Sequence, residues 1–382
     1  MPLIQNWKRG VFLLNKLLKE QKRPDLPLLF IIVILLVVGI VMVYSSSYVW
    51  SDYKFNDSFY YLKRQLLFAG AGVVAMFFFM VIPYYTWKKY ANLILLFCFI
   101  LLLLVLIPGV GLVRGGAQSW IGVGAFSIQP SEFMKLGLII FLAAILSANQ
   151  KYITSFKKGF LPCILLVFTA FGLIMLQPDL GTGMVLVLTC MIMIFAAGAR
   201  LTHFFGLAAI GMLGFVGLIA SAPYRISRIT AFLNPWEDPL GDGFQIIQSL
   251  YAIGPGGLMG LGLGNSLQKY FYLPEPQTDF IFAILGEELG FIGGTVIIVL
   301  FFLLLWRGIK ISLEAPDLFG RFLALGIAGM LAVQAMINIS VVIGLIPVTG
   351  ITLPFLSYGG SSLTLTLCSV GVLLNISIYS KI

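Results

Sequence analysis

Charge is scarce in this chain. Asp, Glu, Lys and Arg make up 10% of the 382 residues, against 60% hydrophobic residues. Soluble domains carry about a quarter charged residues, so this composition excludes a water-soluble core. The mean hydropathy of +1.02 fits a bilayer-embedded one. His203 is the only histidine, which excludes a histidine-built metal cluster. The four cysteines, Cys98, Cys163, Cys190 and Cys368, lie in or beside apolar runs without metal-ligand spacing. Neither a disulfide framework nor a zinc site is expected. The glycine-rich stretches Gly254-Pro255-Gly256-Gly257 and Gly260-Leu261-Gly262-Leu263-Gly264 lack a following Lys-Ser/Thr. They exclude a nucleotide loop and read as a tight turn region. No small-residue cleavage site follows the basic start, so no removable signal peptide is expected. No internal repeat is evident, which argues against a transporter of inverted halves.

Long apolar runs are plentiful. They predict about ten membrane-spanning helices in an all-α polytopic fold, over residues 27–47, 66–83, 90–107, 132–149, 160–176, 181–199, 204–221, 280–306, 322–346 and 355–377. Residues 1–26 read as a basic cytoplasmic segment and 27–382 as one transmembrane domain. The net charge of +9 would point to nucleic acid in a soluble protein. Here the basic residues cluster at the ends of apolar runs. With both termini in the cytoplasm, most Lys and Arg fall on the inner segments, as the positive-inside rule requires. Acids run the other way: apart from Glu20, Asp25, Glu314 and Asp317, the other eleven of fifteen fall outside or at outer helix ends. A large outer loop, residues 222–279, exceeds what joining two helices needs and is expected to be functional.

Several constellations could carry chemistry. In Gln129-Pro130-Ser131-Glu132-Phe133-Met134-Lys135, proline suits a helix start, and Glu132 and Lys135 share a helix face. They read as a self-neutralising pair or as part of a polar membrane-embedded site. Asp179, in Gln177-Pro178-Asp179-Leu180-Gly181-Thr182-Gly183, reads equally as a helix cap or a site residue. Pro274-Glu275-Pro276-Gln277-Thr278-Asp279-Phe280-Ile281-Phe282-Ala283 closes the large loop. Thr278 and Asp279 could cap the next helix. Asp279 also stands at the water–lipid boundary, where partial desolvation raises a carboxyl's pKa and makes it a better base. Glu287 and Glu288 lie about two turns deeper, and at least one is expected to meet a cation such as Lys135. Arg225, Arg228 and Lys269, mixed with acids in the same loop, suit an anionic lipid headgroup. Pro354 to Ser362, with Ser357 and Tyr358, either breaks the last span or packs helices closely.

Together, in this order and spacing, these stretches with Asn234–Leu240 and Gly286–Gly290 resemble the SEDS family of bacterial shape, division and sporulation membrane proteins. The resemblance runs from about Asp25 to the C-terminus and is strongest toward the FtsW/SpoVE branch. It implies a peptidoglycan glycosyltransferase of the bacterial cytoplasmic membrane. Such enzymes polymerise lipid II into β-1,4 glycan strands on the extracellular side, for septum or spore cortex, beside a class B penicillin-binding protein. It also implies that Asp279 is the essential acidic residue and aligns Glu132, Lys135 and Asp179 with family positions. One departure is visible. Many members carry Arg near the Trp-Ile of the second outer loop, whereas Gln118 and Ser119 precede Trp120 here.

The expected chemistry is general-base catalysis. Asp279 accepts the proton of a sugar hydroxyl attacking a lipid-linked donor, while Lys135, Arg225, Arg228 or a divalent cation meets the pyrophosphate charge. Lys269, Glu287, Glu288, Ser357 and Tyr358 are assigned to substrate binding or site shaping. A cation, Mg2+ or Mn2+, is expected at most on Asp279 with Asp179 or Glu132; neither nucleotide nor nucleic acid is expected. Two alternatives stand beside this reading. A lipid II flippase needs a polar path across the membrane, and Gln334 and Asn338 are the main interior exceptions to an outward concentration of polar groups. A non-catalytic scaffold for the penicillin-binding protein would tolerate replacement of Asp279.

Overall fold

Asp25 opens the first helix by accepting a hydrogen bond from Leu28 N at 2.9 Å, and Pro27 sits in the first turn, where its missing N–H costs nothing. This computed structural model describes residues 23–114, 117–123, 126–220, 232–241 and 243–380. Helix α1 spans Leu26–Phe55 and stops at left-handed Asn56. Then come α2 (Tyr60–Val81), α3 (Tyr85–Val105) and three short strands, β1 (Gly111–Arg114), β2 (Ala117–Val123) and β3 (Phe126–Ile128). They are followed by α4 (Pro130–Asn149), α5 (Leu161–Met175), α6 (Leu180–Ala196), α7 (Leu201–Ala220) and a short α8 (Phe244–Ile253). Three long helices close the chain: α9 (Ile281–Glu314), α10 (Leu318–Val342) and α11 (Gly360–Tyr379).

Among the described residues eight helices are long and apolar enough to cross a membrane: α1 to α5, α9, α10 and α11, with α4 and α5 counted with their flanking turns. Helix α6 is a shorter apolar helix of 17 residues. Helices α10 and α11 are the most enclosed, and α2 the least. Outward faces carry exposed apolar side chains such as Phe30, Val74, Phe78 and Leu93, as a lipid-facing surface requires.

Three boundaries differ from the sequence expectation. The first apolar run continues as helix to Phe55, because Ser46 and Ser47 return their hydroxyls to Val43 O (3.3 and 2.6 Å) and leave no polar group to break the helix. The last helix starts at Gly360 rather than residue 355, because residues 354–356 form a turn, with Phe355 at a φ of 65°, and Ser357 and Tyr358 are bonded to the 277–278 segment. The connection at 108–131, expected as an outer loop, carries among its described residues a three-stranded antiparallel sheet, with Leu112 opposite Trp120 and Ile121 opposite Ile128.

Side-chain bonds gather these elements at two ends. At one end, Arg307 holds Asp25, Tyr84 OH reaches Asp317 at 3.1 Å and Asn375 Nδ2 donates to Met80 O. At the other, Ser119 donates to Gln177 O (3.2 Å) and Gln65 Nε2 to Ser357 O (3.3 Å). Most of the candidate site lies at this second end.

Candidate active site

Four segments meet around residues 277–279. Asp279 precedes α9, but Phe280 occupies the N-cap position and no side chain caps this helix. The Asp279 carboxyl is therefore not consumed by capping. Its backbone, by contrast, is tied down. Asn338 of α10 donates from one amide nitrogen to Asp279 O and Ile351 O, both at 2.7 Å. Ser357 Oγ donates to Thr278 O at 2.5 Å while accepting from Leu353 N at 2.8 Å. Tyr358 N donates to Gln277 O at 2.8 Å. The Tyr358 ring stands edge-on to Tyr61 at 4.9 Å. Predicted site-shaping residues Ser357 and Tyr358 thus act as buttresses. A methyl group on Gly39 of α1 would lie 2.2 Å from Phe355 O, so only glycine lets α1 support this loop.

The carboxyl is only partly exposed. Burial, with the nearby Glu275 charge adding to it, pushes its pKa up to about 6, against the opposing pull of a Thr278 hydrogen bond. Thr278 Oγ1 lies 2.9 Å from Asp279 Oδ1 and 2.8 Å from Glu275 O. A hydroxyl has one proton to give. When that proton serves Glu275 O, the contact with Asp279 requires a proton on the carboxyl, so the same geometry accepts both protonation states.

Glu132 and Lys135 form the expected pair at 2.9 Å, both buried. Lys135 Nζ also donates to Gln334 Oε1 at 2.8 Å, and Gln334 Nε2 donates to Thr352 O at 2.9 Å. The α4 pair is thus connected, through α10, to the 351–352 segment that Asn338 ties to Asp279. Asp179 caps α6 by accepting from Thr182 N at 3.1 Å. It also accepts from Gln129 Nε2 at 2.9 Å and Ser131 Oγ at 3.3 Å, joining the two Gln-Pro motifs. Capping is its evident role. Arg225 and Arg228 lie outside the described residues.

Lys269, Glu287 and Glu288 form a separate cluster. Sequence reasoning placed Lys269 toward a headgroup and Lys135 beside the two glutamates. Instead Lys269 is fully buried and pairs with Glu288 at 3.0 Å. No local pattern in the sequence brings a loop lysine to a glutamate nineteen positions away. Among the described residues no group of three His, Cys, Asp or Glu side chains could hold a metal ion. Of the carboxylates named for a cation, Asp179 is committed to three donors and Glu132 to Lys135. The donor set does not fit a resident divalent ion. Asn338 and Tyr61 were missed as site residues. For Asn338 the signal was its spacing of four from Gln334 inside an apolar helix, which puts both amides on one face.

The chain matches the profile of a family described as cell cycle protein, FTSW_RODA_SPOVE, over residues 26–382. It is 69% identical over 362 residues to stage V sporulation protein E of Bacillus subtilis, covering 95% of this chain and 99% of that protein. It is 49% identical over 358 residues to a probable peptidoglycan glycosyltransferase FtsW of Trichlorobacter lovleyi, covering 94% of each. Among solved structures it is similar to a chain from work on a peptidoglycan synthase complex that coordinates polymerization and crosslinking. That match has a TM-score of 0.79 and 32% identity and covers 93% of this chain and 97% of that one. The crystal structure of the rod shape determining protein RodA of Thermus thermophilus matches with a TM-score of 0.68 at 28% identity, covering 93% and 96%.

Proposed function

From the premise that the chain belongs to the FtsW/RodA/SpoVE family of membrane proteins, we propose that it is a peptidoglycan glycosyltransferase. In this reading it polymerises lipid II at the outer face of the bacterial cytoplasmic membrane, beside a class B penicillin-binding protein. The observation that carries it is the state of Asp279: a carboxyl at a helix start that caps nothing, its backbone fixed by Asn338, its pKa lifted to about 6.

The acceptor's sugar hydroxyl attacks the anomeric carbon of the lipid-linked donor. The O–H proton passes to the Asp279 carboxylate, the new C–O bond forms, and the anomeric carbon–phosphate oxygen bond breaks. The bonding pair leaves with the polyprenyl diphosphate. A base that is ionised near neutral pH yet not strongly acidic suits that transfer. Arg225 and Arg228 are proposed to meet the diphosphate, because Lys135 is already committed to Glu132 and Gln334. The test is polymerisation of lipid II by the purified protein with its partner in lipid nanodiscs. Wild type makes glycan chains and Asp279→Asn does not. Chains of normal length from the Asn variant would defeat the assignment.

A further inference from the structure

Lys269, Glu287 and Glu288, buried charges that this chemistry does not touch, form a closed set. Lys269 Nζ contacts Glu288 Oε1 at 3.0 Å and the Gly264 carbonyl, and lies 4.8 Å from the Tyr48 ring centre. Glu288 also accepts from Ser45 Oγ of α1, at 2.8 and 2.6 Å, and from Ser266 N at 3.3 Å. Glu287 accepts from Ser266 Oγ, Leu267 N and Gln268 N at 2.5, 2.8 and 3.4 Å. Both carboxylates are thus held by donors from the loop, and Glu288 from α1 as well.

Beside them α9 is broken. Gly290 has φ of 65°, a conformation that favours glycine, and the loop's backbone fills the gap. Leu261 N and Gly262 N donate to Glu287 O and Glu288 O, and Phe291 N and Ile292 N donate to Gly257 O and Leu258 O, at 2.9–3.1 Å. Irregular backbone at this depth is tolerated only when satisfied in this way.

The Lys269–Glu288 contact joins residues nineteen positions apart. Asp279 stands ten residues after one and nine before the other, near the middle of the loop that the pair closes. We infer that the Lys269–Glu288 pair is the base clamp of the Asp279 loop, which makes Lys269 a positioning residue rather than a substrate contact. An apolar pair of equal volume could hold the loop with similar energy. Its contacts would be non-directional, whereas a lysine, two carboxylates and named N–H and O–H donors fix the register of loop, α9 and α1 together. A slip of that register would move Asp279 relative to Asn338 and Ser357.

The test uses the full chain in nanodiscs with the neutral double variant Lys269→Met/Glu288→Gln, which removes the pair without stranding a charge. Spin labels at Glu275→Cys and Met336→Cys, both exposed positions, report the distance from the Asp279 loop to α10; all four native cysteines are buried. The clamp predicts a broadened distance distribution in the neutral variant, with Asp279→Asn unchanged as the control. It also predicts, resting on the polymerase reading, at least a tenfold fall in kcat per monodisperse molecule with KM within threefold. An unchanged distribution overturns the inference, and so does a broadened one with unchanged turnover. If wild type makes no glycan, the polymerase reading fails, and the distance measurement alone decides the clamp.

Discussion

Replacing Asp279 with Asn should abolish polymerisation and stabilise the fold, and the second effect should appear only above a definite pH. The carboxyl's pKa rises from the ordinary 3.8 to about 6 on folding. Below about pH 3 the group is neutral in both folded and unfolded chains and contributes nothing. Between about pH 3 and 6 the unfolded chain ionises first, so stability falls as pH rises. Above 6 both are ionised and the full cost remains. For a fully buried group that cost would be about 3 kcal/mol. Asp279 is partly exposed, and solvent screening reduces the figure to about 1 kcal/mol. Melting in detergent by intrinsic fluorescence should therefore show wild type and Asp279→Asn equal at about pH 3, with the Asn variant more stable at pH 7. In the same buffers, wild-type kcat should climb with pH through a midpoint near 6 and stand at about a tenth of its plateau at pH 5. Loss of the base should cost about a hundred- to ten-thousandfold. An Asn variant less stable than wild type at pH 7, or an acid limb absent from the wild-type profile, would refute the reasoning.

Other residues give independent outcomes. Lys135→Met leaves Glu132 buried without its partner and should destabilise by about 3–5 kcal/mol, read as loss of monodisperse protein on size-exclusion chromatography. Adding Glu132→Gln should recover the fold. Asn338→Ala strands the carbonyls of Asp279 and Ile351, at about 1–3 kcal/mol each; polymerisation should fall at least tenfold while lipid II binding, followed by co-purification, persists. Gly39→Ala forces the Phe355 carbonyl aside, at about 1–3 kcal/mol. Polymerisation should drop more than the melting temperature would suggest, because the displaced loop carries Ser357 and Tyr358.

Much of this architecture was legible because bilayer burial leaves a one-dimensional trace. Each predicted apolar run lies largely within an observed helix, and misplaced ends came from polar contacts rather than hydropathy. Ser46 and Ser47 hide their hydroxyls in α1, and residues 354–359 are diverted by the loop at 277–278. The Glu132–Lys135 pair was readable because it lies within one turn of one helix. The Lys269–Glu288 pair was not, since its closeness depends on a glycine-rich segment folding back along α9. The sheet at 111–128 had a weak signal, a Gly-Gly step between runs containing Val, Trp and Ile. Composition gave no reason to look for strands in a helical membrane protein.

Asp279 differs from the other aspartates at helix starts. Asp25, Asp179 and Asp317 each accept a backbone N–H three residues on, at 2.9, 3.1 and 2.8 Å, and open α1, α6 and α10. In sequence Asp279 looks like a fourth, placed just before an apolar run. Yet α9 begins without a side-chain cap, forgoing a contribution of about 1 kcal/mol. The carboxyl that could have supplied it is held partly out of water, where ionisation is unfavourable, on a backbone fixed by Asn338 and Ser357. Stability alone would favour either a capping aspartate or no carboxyl at that position. A side chain that takes neither course, at the centre of a loop pinned from two directions, supports the proposal that its carboxylate serves as a proton acceptor.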